Sequence, residues 1–554
     1  MTPVEKHLTK QHLFGLILLA ISLFFPGDLF AEQQKATWLF DWGSRTTTVD
    51  GKEELDPYFW SHLVASAILI IYTVCSVFIF LYACVQLSLG FGYLKNMKKI
   101  KEQQKAEFDE VNAPKVTVQL PMYNEMYVAD RIIDTVAAFD YPRYKFQIQV
   151  LDDSTDETKE IIAKKVKEWQ DKGLNISHVH RVNRKGYKAG ALDDAMDQVE
   201  GEFIAIFDAD FVPDSDFLKK TIPHFKHDKI GVVQTRWGHL NKDYSSLTKL
   251  QAFGLDAHFI IEQCGRNSNA HFINFNGTAG VWRKSCIEDA GGWEHDTITE
   301  DLDLSYRAQI KGWKFTYLVD VVSPAELPIT MSALKNQQHR WMKGGAEVFL
   351  KMWRRLVFAN GVRLSDKFHG MSHLFNSSVF LFIMTLSISS LFMSNIAGSF
   401  PDLREYLKFY FFFYISTFIL MIYYWIAYRD KTGNTLKDLV KFVPQFFLFL
   451  TISSALALSN AVAVIEGWLG IKSSFVRTPK FNVNKKSEFS GNKYDKKQLS
   501  IVNMLEIVFF LVFSTSAYFM LIDGNIGTLV FHGMVAAGYG IVVFHTFKEL
   551  RTQQ

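Results

Sequence analysis

The chain is poor in cysteine, carries almost no net charge and lacks the common glycine-rich phosphate motifs. Its 554 residues include four cysteines, Cys75, Cys84, Cys264 and Cys286, whose spacing shows no metal-ligand pairing. Two of them lie inside an apolar run, so we expect reduced packing residues and no disulfide framework. The formal net charge of +3 gives no reason to expect nucleic-acid binding. The absence of G-x-G-x-x-G and of G-x-x-x-x-G-K-[ST] disfavours a dinucleotide-binding fold and a P-loop.

Apolar and aromatic residues are abundant instead. Hydrophobic residues make up 48% of the chain and 49 residues are phenylalanine, an excess that a lipid-facing surface explains. Residues 13–30 are apolar and form either a retained span, which we favour, or a signal sequence. Residues 62–93 are long enough to cross about 30 Å of hydrocarbon, and the lysines at 95–101 mark their far end as cytoplasmic. Residues 1–113 are therefore predicted to be an N-terminal membrane region with two spans and an external loop.

Between residues 114 and 345 the pattern changes. The short apolar segments VTVQL, FQIQVL, FIAIFD and IGVVQT indicate strands, and they alternate with charged, helix-period stretches such as 156–172. This alternation predicts an α/β domain with a largely parallel sheet. Because the basic end of the second span leads directly into it, we expect this domain to be cytoplasmic.

After residue 345 the chain returns to the membrane. Residues 346–371 are predicted to form interfacial helices, and residues 372–554 a C-terminal membrane domain. Its four spans are expected at 372–397, 407–428, 500–522 and 527–546. The further apolar run 440–467 has basic residues on both flanks, which favours a re-entrant or interfacial segment broken near Pro444. The alternative is a seventh crossing that places residues 468–499 outside.

Acidic residues follow two of the predicted strands. Asp208 and Asp210 follow one apolar run, and Asp152 and Asp153 follow another. Ligands of doubly wound α/β domains bind beyond the carboxyl ends of the strands, and aspartates at the end of a buried strand are costly without a cation. Mg²⁺ or Mn²⁺ held by one or two carboxylates and by phosphate oxygens of a substrate suits this pattern. A single D-x-D also arises by chance or as a cap, so the motif alone decides little.

Two later motifs have ordinary structural explanations when taken singly. Thr299, Glu300 and Asp301 begin an amphipathic segment, and such residues are common at helix starts. Gln337, Arg340 and Trp341 have helical spacing, so they could belong to a plain helix surface.

The order of these motifs resembles the processive branch of family 2 glycosyltransferases, the inverting enzymes that include cellulose, chitin and hyaluronan synthases. The segments VLDDSTD, NRKGYKAGAL, FDADF, FNGTAGVWR, TEDLDLSYRAQIKGWKF and QQHRW resemble in particular the plant cellulose synthase-like enzymes that make mannan, glucomannan and xyloglucan backbones. The resemblance covers residues 114–350 closely and the later spans loosely. It implies a GT-A type α/β domain, with a mixed, mostly parallel sheet, inserted in an α-helical polytopic membrane domain.

The resemblance also implies a role for individual residues. Donor-nucleotide binding is expected of Tyr123, Glu125, Asp152, Lys188, Asp208 and Gln337, and metal binding of Asp210 and Asp208. Asp301 would be the general base, in a catalytic group with Glu300 and Arg340. The acceptor glycan would contact Trp341, Phe275 and Gly277. One physical tension exists, because a helix N-terminus favours ionised Asp301 and so weakens it as a base, unless nearby substrate phosphates raise its pKa.

A basic segment after the fifth apolar run resembles the gating loop of the family. SSFVRTPKF lies in a predicted loop of residues 472–486 and matches F-x-V-T-x-K of bacterial cellulose synthases at Phe475, Thr478 and Lys480. Arg477 stands where valine is usual, and Pro479 is a second departure. The family's loop is cytoplasmic and covers the nucleotide, which supports the re-entrant interpretation. The alternative is a basic juxtamembrane loop that meets anionic lipid.

The apolar runs and the family resemblance together imply an integral membrane, inverting, processive β-glycosyltransferase. It would polymerise hexose from an NDP-sugar, with UDP-glucose slightly favoured over GDP-mannose, onto a growing glycan and translocate the β-linked product across the bilayer. Two alternatives are a non-processive enzyme that glycosylates a lipid, and a nucleotide-binding transporter or inactive receptor. The short chain and the signal-like start favour a bacterial inner membrane.

Overall fold

The computed structural model describes residues 46–49, 52–55, 59–472, 478–480, 482 and 499–551. The predicted span 13–30 and the predicted gating-loop residue Phe475 lie outside these residues. At the start of the described part, β1 (Thr46–Val49) and β2 (Lys52–Leu55) pair in antiparallel orientation. A long helix, α1 (Phe59–Lys95), contains the predicted span 62–93, and α2 (Met97–Gln103) leads from it to the α/β domain.

A seven-stranded mixed sheet forms the centre of the α/β domain. Its strands are β3 (Val116–Met122), β4 (Phe146–Asp152), β5 (Ile176–His180), β6 (Phe203–Ile206), β7 (Ile230–His239), β8 (Gly280–Arg283) and β9 (Lys314–Ala325). Their spatial order is β5-β4-β3-β6-β8-β7-β9. All neighbouring pairs are parallel except those of β8 with β6 and with β7. The predicted largely parallel α/β sheet is confirmed.

Helices cover both faces of this sheet. They are α3 (Ala129–Ala137), α4 (Thr158–Asp171), α5 (Tyr187–Asp194), α6 (Phe217–Thr221), α7 (Ser246–Asp256), a π-helix (Ala257–Glu262), α8 (Gln263–Ser268), α9 (Lys284–Asp289) and α10 (Glu300–Ile310). Alternate side chains of β6 enter different cores, Phe203 and Ala205 on one face and Ile204 and Ile206 on the other. This two-sided burial explains why the strand is apolar throughout and why its first acidic residue, Asp208, comes just beyond its end.

The remaining described chain is helical. Its helices are α11 (Met331–Val357), α12 (Leu364–Leu374), α13 (Val379–Ser390), α14 (Met393–Ser399), α15 (Tyr410–Thr432), α16 (Leu436–Trp468), α17 (Ile501–Ile522) and α18 (Ile526–Arg551). Within the described residues, five helical stretches are long and apolar enough to cross a membrane: α1, Leu403–Thr432, α16, α17 and α18. The predicted span 372–397 instead falls on a helix pair, Leu364–Leu374 and Asn376–Ser390, bent by 44° and able to form a sixth.

The run 440–467 belongs to α16, which continues unbroken through Pro444. The predicted break near this proline is therefore wrong. Its neighbours Phe442 and Phe446 are fully buried, and Phe442 packs near Phe253 of the α/β domain, so tertiary packing holds the helix together where the proline removes a hydrogen bond. The other end of α16 contacts α11, where Glu466 pairs with Lys343 at 3.4 Å. A position with both flanks on one side of the membrane stays a prediction.

Candidate active site

An open cavity lies at the carboxyl ends of the sheet strands, at the edge where the sequence predicts ligand binding. Predicted site residues from distant parts of the chain line it together: Tyr123, Glu125, Lys188, Asp208, Asp210, Gly277, Glu300, Asp301, Gln337, Arg340, Trp341, Thr478 and Lys480. The cavity thus combines carboxylates, cations and an indole, the groups that activate and hold a charged, sugar-bearing substrate.

Each aspartate of the D-x-D sequence is paired with a lysine. The Lys188 ammonium lies 2.6 Å from Asp208 Oδ1 and also donates to the Gly277 carbonyl at 2.7 Å. Lys480, from the predicted gating loop, lies 2.6 Å from Asp210 Oδ2. The backbone N–H of Asp208 donates to Thr278 Oγ1 at 2.9 Å. These contacts show that both carboxylates attract cations and that their positions are fixed by neighbouring loops.

Glu300 and Asp301 are the first two residues of α10, and both line the cavity. Burial, together with the adjacent Glu300 carboxylate, raises the pKa of Asp301 to about 7. Burial also raises the pKa of Glu300. The helix N-terminus favours the ionised form of Asp301, but desolvation and repulsion from Glu300 outweigh this effect and raise its pKa. A substrate phosphate is not needed for this increase. A carboxyl group with its pKa near neutrality is suited to accept a proton.

Gly277 provides the close approach to Asp301. Its backbone φ of +76° is in the left-handed region, and a Cβ atom there would lie 3.1 Å from Asp301 Oδ2 and 3.6 Å from Lys188 Nζ. Any side chain at this position would be strained and would crowd the acid. Gly277 therefore lines the site by leaving room beside Asp301.

Helix α11 carries Gln337, Arg340 and Trp341 to the cavity. Gln337 lies one helical turn before the adjacent Arg340 and Trp341. Arg340 donates to Thr478 Oγ1 at 2.7 Å, so the helix and the predicted gating loop meet. The Trp341 ring lies 6.5 Å from that of Trp237, and both indoles line the cavity. This pair of aromatic faces is suited to the apolar faces of pyranose rings.

The same helix is tied to the apolar helices by polar contacts. Lys335 pairs with the buried Glu506 of α17 at 2.9 Å, Gln338 accepts from Asn460 of α16 at 2.9 Å, and the Met331 N–H donates to Glu549 of α18. Because a buried charge pair is costly to break, these contacts fix the position of α11 relative to the three helices.

Of the predicted site residues that the structure describes, two do not line the cavity. Asp152 is completely buried, and although burial alone would raise its pKa, hydrogen bonds from His178 and Ser154 lower it. Phe275 is also buried, with its ring edge-on to Trp282 at 5.4 Å. The structure thus gives no support for direct ligand contact by Asp152 or Phe275, because their side chains pack into the domain interior.

Four further residues that were not predicted as site residues also line the cavity: Asp153, Arg184, Trp237 and Asn276. Asp153 and Asn276, each one position from a predicted residue, take the places expected of Asp152 and Phe275. The Arg184 guanidinium stacks on the Tyr123 ring, 3.3 Å from its centroid. Arg184 stands in NRKGYKAG, a segment singled out only for Lys188, and Trp237 follows a predicted strand. The strand-end rule applied to β7 would have found Trp237.

Comparison with known proteins identifies the class of this domain. Residues 114–344 match the model of the family described as Glycosyltransferase like family 2. This match confirms the resemblance to family 2 glycosyltransferases drawn from the motifs.

Curated relatives include glucomannan 4-beta-mannosyltransferases of plants. The probable glucomannan 4-beta-mannosyltransferase 4 of Oryza sativa subsp. japonica is 48% identical over 261 residues, 46% of this chain and 48% of the relative. Glucomannan 4-beta-mannosyltransferase 1 of Cyamopsis tetragonoloba is 45% identical over 261 residues, 46% of this chain and 50% of the relative. The chain spans about half the length of the curated relatives it matches. Their plant origin contradicts the expectation of a bacterial inner membrane.

A mannosyltransferase from Pyrobaculum calidifontis, in complex with GDP-Man and Mn²⁺, is 19% identical with a TM-score of 0.46, and the match covers 70% of this chain and 99% of that chain.

Proposed function

We propose that the protein is an inverting, processive β-mannosyltransferase that elongates a β-linked glycan from GDP-mannose and passes it outward through its own spans. The names of the relatives support mannosyl transfer, so GDP-mannose replaces the predicted preference for UDP-glucose. The observation that carries the proposal is the position of Asp301, an acid with its pKa near 7, beside the paired carboxylates of Asp208 and Asp210 in one cavity.

The donor would occupy the side of the cavity nearest β3 and β4. Tyr123, with Arg184 stacked on its ring, and the carboxylates of Glu125 and Asp153 surround this part, and they offer a flat face and hydrogen-bond acceptors to a nucleobase and ribose. Arg340 and Lys188 face the region between this end and Asp301. An arginine fork binds phosphate oxygens in two places at once, so the diphosphate would lie there.

A divalent metal, Mg²⁺ or Mn²⁺, fits the carboxylates of Asp208 and Asp210. Hard oxygen ligands suit both ions, and the lysines that pair with the two side chains support a local demand for positive charge. When bound, such an ion would neutralise negative charge on the departing diphosphate.

The transfer step needs one proton acceptor. The Asp301 carboxylate would remove the proton of the acceptor hydroxyl while that oxygen forms its bond to the anomeric carbon. The bond from this carbon to the diphosphate oxygen breaks on the opposite face, and the electron pair leaves with the nucleotide. Attack from the face opposite the leaving group inverts the configuration. Arg340 and Gln337 would stabilise the leaving group.

Retention of the product between cycles would depend on Trp341 and Trp237. An indole face packs against a sugar ring without fixing it by hydrogen bonds, so the terminal sugar can move on after each addition. Thr478 and Lys480, which contact Arg340 and Asp210, would cover the donor on the other side.

The variant D301N tests the proposal. Transfer should fall by about 100- to 10,000-fold, the range for loss of a general base, while binding of GDP-mannose is retained. The exposed acid Asp228, away from the cavity, provides the matched control D228N, which should transfer at the wild-type rate. Rates are measured by incorporation of labelled mannose and binding by displacement of a fluorescent nucleotide. Near-normal transfer by D301N would overturn the assignment.

A further inference from the structure

Below the donor side of the cavity, three side chains converge outside the proposed catalytic groups. Asp152 Oδ2 lies 2.9 Å from His178 Nε2 and 3.2 Å from His180 Nδ1. All three of these atoms lie within 4.8 Å of one another. None of these residues lines the cavity, so the proposed transfer reaction does not account for the cluster.

The sheet itself produces this convergence. His178 and His180 are two positions apart on β5, so their side chains point to the same face. Asp152 is the last residue of β4 and pairs directly with His180 in the parallel register. Two neighbouring strands thus present an imidazole pair and a carboxylate on one side of the sheet edge.

Among the described residues, Asp152 forms no ion pair with a lysine or an arginine. Its Oδ1 accepts from the Ser154 N–H at 2.8 Å, and among the described residues its ion-pair partners are the two histidines. The adjacent Asp153, by contrast, is held by Arg181 at 2.6 Å. A completely buried carboxylate without a permanent cation is costly.

We propose that Asp152, His178 and His180 bind a borderline divalent cation, Zn²⁺ being the natural occupant. Two imidazole nitrogens and one carboxylate oxygen are ligands that zinc prefers, whereas Mg²⁺ and Mn²⁺ favour oxygen alone. At zinc bond lengths near 2.0 Å, neighbouring ligands of a tetrahedral ion are roughly 3.3 Å apart. The two distances from the Asp152 carboxylate, 2.9 Å to His178 and 3.2 Å to His180, therefore need to lengthen by only a few tenths of an ångström.

Access and coordination number fit the same ion. The side chains of His178 and His180 are 19% and 28% exposed, so an ion can enter from solvent, and a water molecule would complete the fourth position. Bound zinc would join the edge strand β5 to β4, immediately before Asp153 and Arg181. It would thus stabilise the wall of the donor cavity and take no part in the transfer step.

Zinc uptake by the full-length protein in detergent tests this site. Chelator-treated protein is titrated with ZnCl₂ alone, bound metal is measured by mass spectrometry after dialysis, and the thermal midpoint is recorded. Wild-type protein should retain an equimolar amount and melt at a higher temperature. H178A and H180A should each bind about 100-fold more weakly or worse, since loss of outer-shell partners alone costs up to that much.

Two controls separate this site from others. H227A removes an exposed histidine outside the cluster, and D210N removes a carboxylate of the proposed catalytic metal site. Both should keep the zinc, and D210N should lose Mn²⁺ binding. Absence of zinc uptake by wild-type protein, or equal uptake by H178A and H180A, would overturn the inference. No donor or transfer is involved, so the outcome does not depend on the proposed function.

Discussion

Asp301 is the residue at which two opposing effects meet. Its place at the start of α10 favours the ionised form through the helix dipole, by up to about 1 kcal/mol at an exposed site. Burial beside Glu300 favours the neutral form more strongly, and the pKa rises to about 7. The sequence shows the helix start but not the burial, which comes from loops far away in the chain. For this reason the base strength of Asp301 could not be predicted.

The raised pKa predicts the acid side of the pH profile. Only the carboxylate form accepts a proton, so kcat/KM should increase as pH rises through about 7 and level off above it. Initial rates in reconstituted vesicles across the neutral range, with donor binding measured in parallel, provide the check. An acid limb near the ordinary aspartate value of 3.8 would contradict this environment.

At two places the residues that line the cavity differ by a single position from the predicted site residues. Asp152 and Phe275 were expected in the site, whereas the neighbouring Asp153 and Asn276 line the cavity. Along an extended chain, successive side chains point in opposite directions, so a one-residue error exchanges a site residue for a core residue. The motif locates the strand end, but the direction of each side chain depends on the final register of the sheet.

At the scale of elements, four strands were predictable from apolar runs, whereas the edge strands β5 and β9 and the short central strand β8 were not. β3, β4, β6 and β7 appear as apolar runs in the sequence, and the structure has strands there. β5 was missed because it is an edge strand with polar, partly exposed residues. The continuity of α16 through Pro444 was missed because it depends on aromatic packing between distant segments.

The glycine pair after the Q-x-x-R-W motif offers a test of how α11 is positioned. A Cβ at Gly344 would overlap the Thr299 side chain, with Oγ1 only 2.7 Å away, whereas one at Gly345 would lie 3.3 Å from Ser377. G344A should separate α11 from the start of α10, and a shift near 1 Å can cost about 100-fold in rate. We therefore expect kcat to fall by roughly 10- to 100-fold in G344A.

G345A is the matched control for this test. It makes the same chemical change one residue away and should retain most of its activity, because an atom at 3.3 Å needs only a small adjustment. Thermal midpoints of both variants show whether the protein is folded. Equal activities of the two variants would show that contact with Thr299 does not position the helix.

At the scale of the whole molecule, apolar run lengths predicted most of the helices of the membrane region. Within the described residues, the predicted spans 62–93, 407–428, 500–522 and 527–546 each coincide with a long apolar helix. The bend within the 372–397 region could not be predicted, because composition is apolar on both sides of it. The polar ties from Lys335, Gln338 and Met331 of α11 to the last three helices are likewise products of folding. They hold α11, which carries Arg340 and Trp341, against these three apolar helices.

The sugar composition and the length of the product test the proposed processive mannosyl transfer. Membranes containing the protein, or D210N as the inactive control, are incubated with labelled GDP-mannose and separately with labelled UDP-glucose, and the products are digested with linkage-specific hydrolases. We expect a mannose polymer whose synthesis depends on Asp210. This polymer should not extract into organic solvent and should be cleaved by an endo-β-1,4-mannanase. A labelled product of one or two sugars that extracts into organic solvent, or incorporation from UDP-glucose without mannose, would contradict it.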